Sequence, residues 1–152
     1  MAAATAEGAV TDNRSSALRS KTMSAVRQKH TGPELAIRRL LHGLGYRYRL
    51  HRKALPGQPD LVFVSKRKVV FIHGCFWHGH GCSKGKLPKS RLEYWEPKIA
   101  RNKNRDRNNE KRLMDLGWNV CIVWQCEIAD PGDLQMKLTR FLSGDTPNAG
   151  NV

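Results

Sequence analysis

Residues 73–82, His-Gly-Cys-Phe-Trp-His-Gly-His-Gly-Cys, hold three of the chain's six histidines and two of its four cysteines. Imidazoles and glycines fill a core poorly, and glycines interrupt regular structure, so this stretch reads as a functional loop. Thiolates and neutral imidazoles brought close together are zinc donors. An imidazole titrating near neutrality is also the usual group for moving a proton. The loop offers more donors than one tetrahedral ion can use, so a metal site and a catalytic site are expected side by side.

Cys75, His80 and Cys82 give three strong zinc ligands on one loop, and a structural zinc usually takes four. Cys121 and Cys126 are the candidates for the fourth. Cys121 falls inside an apolar strand pattern, where a thiol packs as a small hydrophobe. Cys126 falls just past that strand and would reach the loop if the strand runs parallel to the one ending at Ile72. The expected ligand set is therefore Cys75, His80, Cys82 and Cys126. His73 and His78 are left over, and in a basic protein they are read as groups facing phosphate.

The charge supports a polyanionic partner. The chain has 27 Lys and Arg against 13 Asp and Glu, a net charge of +14. The excess is localised: residues 13–53 hold eleven basic side chains and a single acid, Glu34, and residues 84–112 hold eleven against four acids. Such stripes suit a nucleic acid neutralised phosphate by phosphate. A mean hydropathy of −0.58 and the absence of a long apolar run argue against a membrane. Residues 1–13 are small and polar, unlike a secretory signal, so a cytoplasmic, nucleoid-associated protein is expected. Cysteines in a reducing compartment point to metal or free thiols before disulfides.

The elements that must position these groups follow from the pattern. Thr31-Gly32-Pro33-Glu34 is a capping-box signature, and Leu35, Ile37, Leu40, Leu41 and Leu44 follow at helical spacing as far as Gly45. Tyr46, Tyr48 and Leu50 alternate with Arg47, Arg49 and His51, as in a strand with one basic face. Apolar runs at 61–64 and 69–72, joined by Ser65-Lys66-Arg67-Lys68, form a hairpin. A charged helix is expected within 91–116, ended by Gly117, and a buried strand over 119–124. Strand, helix and returning strand make a right-handed crossover with its strands parallel. A closing helix is expected over 133–142. The expected organisation is a disordered start (1–13), a basic DNA-contacting arm or helix (14–30), one catalytic domain (31–142) and a flexible tail (143–152).

Acids are scarce in the basic half, which makes Glu34 and Asp60 informative. Phosphodiester hydrolysis near neutrality generally uses a carboxylate-held divalent cation. Asp60 follows Pro59 at the mouth of a strand. A helix acid, Pro-Asp and a strand pair resemble the restriction-endonuclease fold, an α/β fold with a mixed sheet flanked by helices. The Glu-x-Lys expected on the second strand is replaced by Phe71-Ile72-His73.

With that replacement, the motifs Leu55-Pro56-Gly57-Gln58-Pro59-Asp60, residues 73–82, Glu93-Tyr94-Trp95, Asn102 to Asp106 and Gly117 to Cys126 closely resemble the very-short-patch-repair DNA mismatch endonuclease family. The likeness runs from about Arg19 to Glu127. It implies an enzyme that nicks double-stranded DNA 5′ of the thymine in T:G mismatches left by 5-methylcytosine deamination. It implies structural zinc on the four ligands named above. By the same resemblance Asp60 and the main-chain carbonyl of Ile72 would hold catalytic magnesium, and His78 would be the general base, oriented by Asp106. His73 would contact the reacting phosphate and Glu34 would support the site. Phe76, Trp77 and Trp95 would wedge beside the mismatch, with Asn102 and Arg105 also on DNA. Ile72 stands where some members carry threonine, a change that a carbonyl ligand survives.

A monomer is expected, with mismatch-repair proteins as candidate further partners. Two other readings compete: a restriction-type nuclease with another DNA substrate, and a non-catalytic zinc-bearing DNA- or RNA-binding module. The binding module has no use for Asp60 at a strand mouth or for histidines beyond the zinc ligands.

Overall fold

The structure, a computed structural model, describes residues 31–144. The expected N-terminal start and basic arm and most of the tail lie outside the described residues. Helix α1 (Gly32–Gly43) leads through β1 (Arg49–Leu50) to the hairpin β2 (Leu61–Phe63) and β3 (Lys68–His73). Helix α2 (Leu92–Asp115), β4 (Asn119–Trp124) and α3 (Pro131–Ser143) complete the order, with short 3-10 turns at Ser83–Gly85 and Gln125–Ala129.

The helices α1 and α2 end in the same device. Gly45 and Gly117 take the left-handed conformation, with φ of +91° and +84°. After α1, the N–H of Gly45 bonds His42 O and that of Tyr46 bonds Leu41 O; after α2, Gly117 bonds Met114 O and Trp118 bonds Leu113 O. This paired pattern satisfies carbonyls that the helix end would leave open, and glycine supplies the positive φ without a Cβ clash. Each turn sends the chain into an edge strand of the sheet.

The sheet order is β1-β2-β3-β4, antiparallel except for the parallel pair β3 and β4. Alternation along the strands splits the apolar residues between two faces. Leu61, Phe63, Val70, Cys121 and Val123 pack with Ile37 and Leu41 of α1 and Leu134, Leu138 and Leu142 of α3. Val62, Val69, Phe71 and Ile122 pack with Leu113 and Trp118 at the end of α2. Helices therefore cover both faces of a mixed sheet, as the sequence implied.

Some boundaries differ from expectation. The 46–50 stretch pairs only at Arg49 and Leu50, because Tyr46 and Tyr48 turn edge-on to the Phe63 ring instead of extending the ladder. Helix α3 begins two residues early: Asp130 caps it by accepting the Asp133 N–H, and Pro131 sits in the first turn where its missing donor costs nothing. On the outer edge of β4, Lys137 donates to the Ile122 carbonyl at 2.7 Å and Glu127 accepts the Trp124 N–H at 2.7 Å. The two side chains also pair with each other at 2.8 Å.

Candidate active site and metal centre

The parallel register sets the position of the metal donors. His73 lies opposite Trp124, so the chain leaves both strands at the same level. Two residues further on, Cys75 and Cys126 meet. Turns over residues 74–80, with the His78 N–H on Gly74 O and the His80 N–H on Cys75 O, bring His80 and Cys82 to the same place. The four donor atoms lie within 4.8 Å of one another. Cys75 is fully buried, and Cys126 Sγ is 3.5 Å from His80 Nδ1.

Such crowding suits a cation that accepts thiolate and imidazole donors, so the donor set could hold zinc. Burial and the neighbouring Cys75 and Cys82 sulfurs push the Cys126 thiol up to about 11, a repulsion that a bound cation would reverse. Against the opposing effect of burial, hydrogen bonds with His80 and Cys75 bring Cys82 down to about 6. Cys121 is elsewhere, buried in the sheet core, where burial raises it to about 11.

Gly85 closes this loop. A Cβ there would lie 1.8 Å from the His80 carbonyl oxygen, so only glycine allows the 3-10 turn to fold back over the loop. Gly79, at φ +66°, likewise faces Ile99 and Lys103 at 2.8 Å from where its Cβ would be.

Two acid–imidazole clusters adjoin the end of β3. In the first, the Ile72 N–H donates to Asp60 Oδ2 at 2.7 Å. His51 Nε2 is 2.9 Å from Glu34 Oε1, and His51 Nδ1 is 3.9 Å from Asp60 Oδ1. Arg38 reaches the same Glu34 oxygen at 3.5 Å. Burial raises Asp60 to about 6; the Ile72 N–H opposes this, and the neighbouring Glu34 charge adds to it. Two carboxylates gathered out of water in this way suit a hard cation with oxygen ligands.

In the second cluster, His78 Nδ1 is 2.6 Å from Asp106 Oδ2. The His78 ring stacks on His73 at 3.8 Å between centroids and 5° between planes. His73 is buried, which draws it down to about 3, and its Nδ1 has no hydrogen-bond partner among the described residues. His73, His78, His80, Lys103, Asp106 and Trp124 help line a cavity of about 400 Å³.

Phe76 and Trp77 of the loop form an edge-to-face group with Trp95 of α2, with centroids 5.1 to 6.0 Å apart, and Lys98 Nζ lies over Trp77 and Trp95. Asn102 donates to the Trp77 carbonyl at 3.0 Å, tying α2 to the loop. Arg105 is exposed on α2. Apart from Cys121, the residues singled out from the sequence as site candidates thus lie on or beside this end of the sheet. His51 was missed as a site residue. The sequence shows it only as part of a strand's basic face, and its sole signal is an imidazole nine residues before Asp60.

The fold is shared with the homing endonuclease I-Bth0305I catalytic domain, at a TM-score of 0.54 and 17% identity over 77% of this chain and 99% of that one. A type II nicking enzyme of Xanthomonas oryzae pv. oryzae, V.XorIIP, is 56% identical over 88% of this chain and 98% of its own length. The DNA mismatch endonuclease Vsr of Escherichia coli K12 is 46% identical over 74% of this chain and 72% of its own. Residues 11–84 match the family described as DNA mismatch endonuclease Vsr. Fold, site and relatives together define a DNA-nicking endonuclease. The chain belongs to the Vsr DNA mismatch endonuclease family.

Proposed function

We propose that the protein nicks double-stranded DNA 5′ of the thymine of a T:G mismatch, in a magnesium-dependent reaction, and that its Cys/His centre holds structural zinc. The observation that carries this reading is the convergence of Asp60, Ile72 and the His78–Asp106 pair at the end of β3. Asp60 and the main-chain carbonyl of Ile72 would hold magnesium, which when bound offsets phosphate charge and makes water a better nucleophile. In an extended strand the N–H and C=O of one residue point the same way, so an Ile72 N–H on Asp60 supports a carbonyl facing the same acid.

His78 donates its Nδ1 proton to Asp106, which fixes the tautomer and leaves Nε2 to accept a proton from the attacking water. His73 backs this ring by stacking and, held neutral, offers phosphate a donor without competing for the proton. Glu34 supports Asp60. Phe76, Trp77 and Trp95 present planar faces that can replace a lost stacking partner, and a mismatch is cheaper to open than a paired step. Asn102 shapes the loop that carries Trp77, and Arg105 adds charge toward the duplex. Asp60 at the strand mouth and the His78–Asp106 pair, for which a zinc-bearing binding module has no use, favour catalysis.

The test uses labelled duplexes carrying T:G, T:A or C:G at one position, with and without magnesium. Nicking of the T:G duplex alone, and only with the cation, is the expected result. Equal cutting of paired duplexes would favour a restriction-type nuclease, and no cutting of any would favour the binding module.

A further inference from the structure

The ladder between β1 and β2 ends by setting His51 opposite Asp60, the His51 N–H donating to the Asp60 carbonyl at 3.3 Å. At that point His51 adopts φ +45°, a left-handed conformation uncommon outside glycine, asparagine, aspartate and histidine. Strain of this kind persists where surrounding contacts over-determine it, often at a functional site. Here both ring nitrogens lie near carboxylates: Nε2 is 2.9 Å from Glu34 and Nδ1 is 3.9 Å from Asp60. Glu34 is only 2% exposed, so its position depends on such partners.

We propose that His51 is a positioning residue for strand nicking, bridging Glu34 and Asp60 so that the Asp60 carboxylate is held in one orientation. This rests on Asp60 being the cation-binding acid proposed above. The Ile72 N–H fixes Oδ2, and His51 Nδ1 stands 3.9 Å from Oδ1. Without the imidazole, two neighbouring carboxylates would repel and Asp60 would have a wider choice of rotamers. His51 groups with Glu34 and Asp60, whereas His73 and His78 group with Asp106, so its loss should leave recognition of the duplex in place. A displacement of about 1 Å at a reacting centre costs on the order of a hundredfold in rate.

The experiment compares His51→Ala, His51→Gln and Asp60→Ala with the parent, all as full-length zinc-loaded protein. It measures kcat and KM on a T:G duplex, the magnesium concentration for half-maximal rate, and zinc content. His51→Ala should lower kcat about a hundredfold and raise the magnesium requirement, with KM for DNA and zinc content unchanged. His51→Gln, whose amide still donates toward Glu34, should recover at least a tenth of the parental kcat. Parental kcat in a folded His51→Ala, or a defect confined to KM for DNA, would overturn the proposal. If His51→Ala does not fold, the Gln variant decides: a stable protein as inactive as Asp60→Ala would overturn it. Full nicking by Asp60→Ala would instead defeat the reading of Asp60 on which the proposal stands.

Discussion

The pairs His51–Glu34 and His78–Asp106 join the same two kinds of group at similar distances, 2.9 and 2.6 Å, yet their surroundings differ. Glu34 is anchored in α1 beneath the sheet, and His51 has a carboxylate near each ring nitrogen. Asp106 comes from α2 on the opposite face and engages one nitrogen of a ring borne on a glycine-hinged loop, lining a cavity. An imidazole set between two acids can hold their geometry. An imidazole held by one nitrogen is oriented and still basic at the other. The proposed reaction therefore gives proton transfer to the second pair and orientation of the acid to the first.

This division can be broken in order of severity. Asp60→Ala should reduce nicking to background while leaving zinc content and duplex binding intact, measured by gel assay and by titration of labelled T:G DNA. His78→Ala should lower kcat by about 10²- to 10⁴-fold, the usual contribution of a positioned base. The residue of activity should rise with pH as hydroxide substitutes for the imidazole. A variant that instead loses zinc would make His78 a ligand. Gly85→Ala forces a Cβ onto the His80 carbonyl, so it should lose metal and thermal stability while Gly81→Ala, with open space around it, keeps both.

The pH response sharpens the contrast further. Asp60 holds its proton to about 6 in the fold against 3.8 in an unfolded chain. As pH rises from 4 to 6, the unfolded chain releases that proton first, so the folded state loses stability relative to it. In magnesium-free buffer Asp60→Asn should remove this penalty, at most about 3 kcal/mol, and equal the parent below pH 4. A stability gap between the two that persists at pH 3.5 would mean that packing, not charge, is responsible. The smallest effect is expected at Cys121→Ala: retained metal and a packing loss of about 1 kcal/mol in a denaturant melt.

Much of this site was legible because strand patterns fix register. The β4 boundaries agree with the apolar run from Asn119 to Trp124, and a parallel β3–β4 pair places Cys126, not Cys121, beside the loop. Asp60 was legible as a carboxylate at a strand mouth, and the roles of His73 and His78 came from family likeness more than from spacing. His51 was not legible. Its proposed role depends on one backbone angle and on the ladder closing opposite Asp60, neither of which can be read from residue type alone. The short β1 was likewise hidden, since alternation at 46–50 suits tyrosines packing on Phe63 as well as a longer strand.

The Lys137–Glu127 pair on the outer edge of β4 bears on how this molecule behaves in a crowd. An edge strand normally offers a free row of donors and acceptors on which a neighbour's strand can add. Here the ammonium takes one carbonyl and the carboxylate takes the amide two residues on, standing in for the strand that would otherwise attach. The opposite edge, β1, is two residues long and offers almost nothing to grow on. Many copies gathered along one polyanion can therefore sit close together without their sheets fusing end to end.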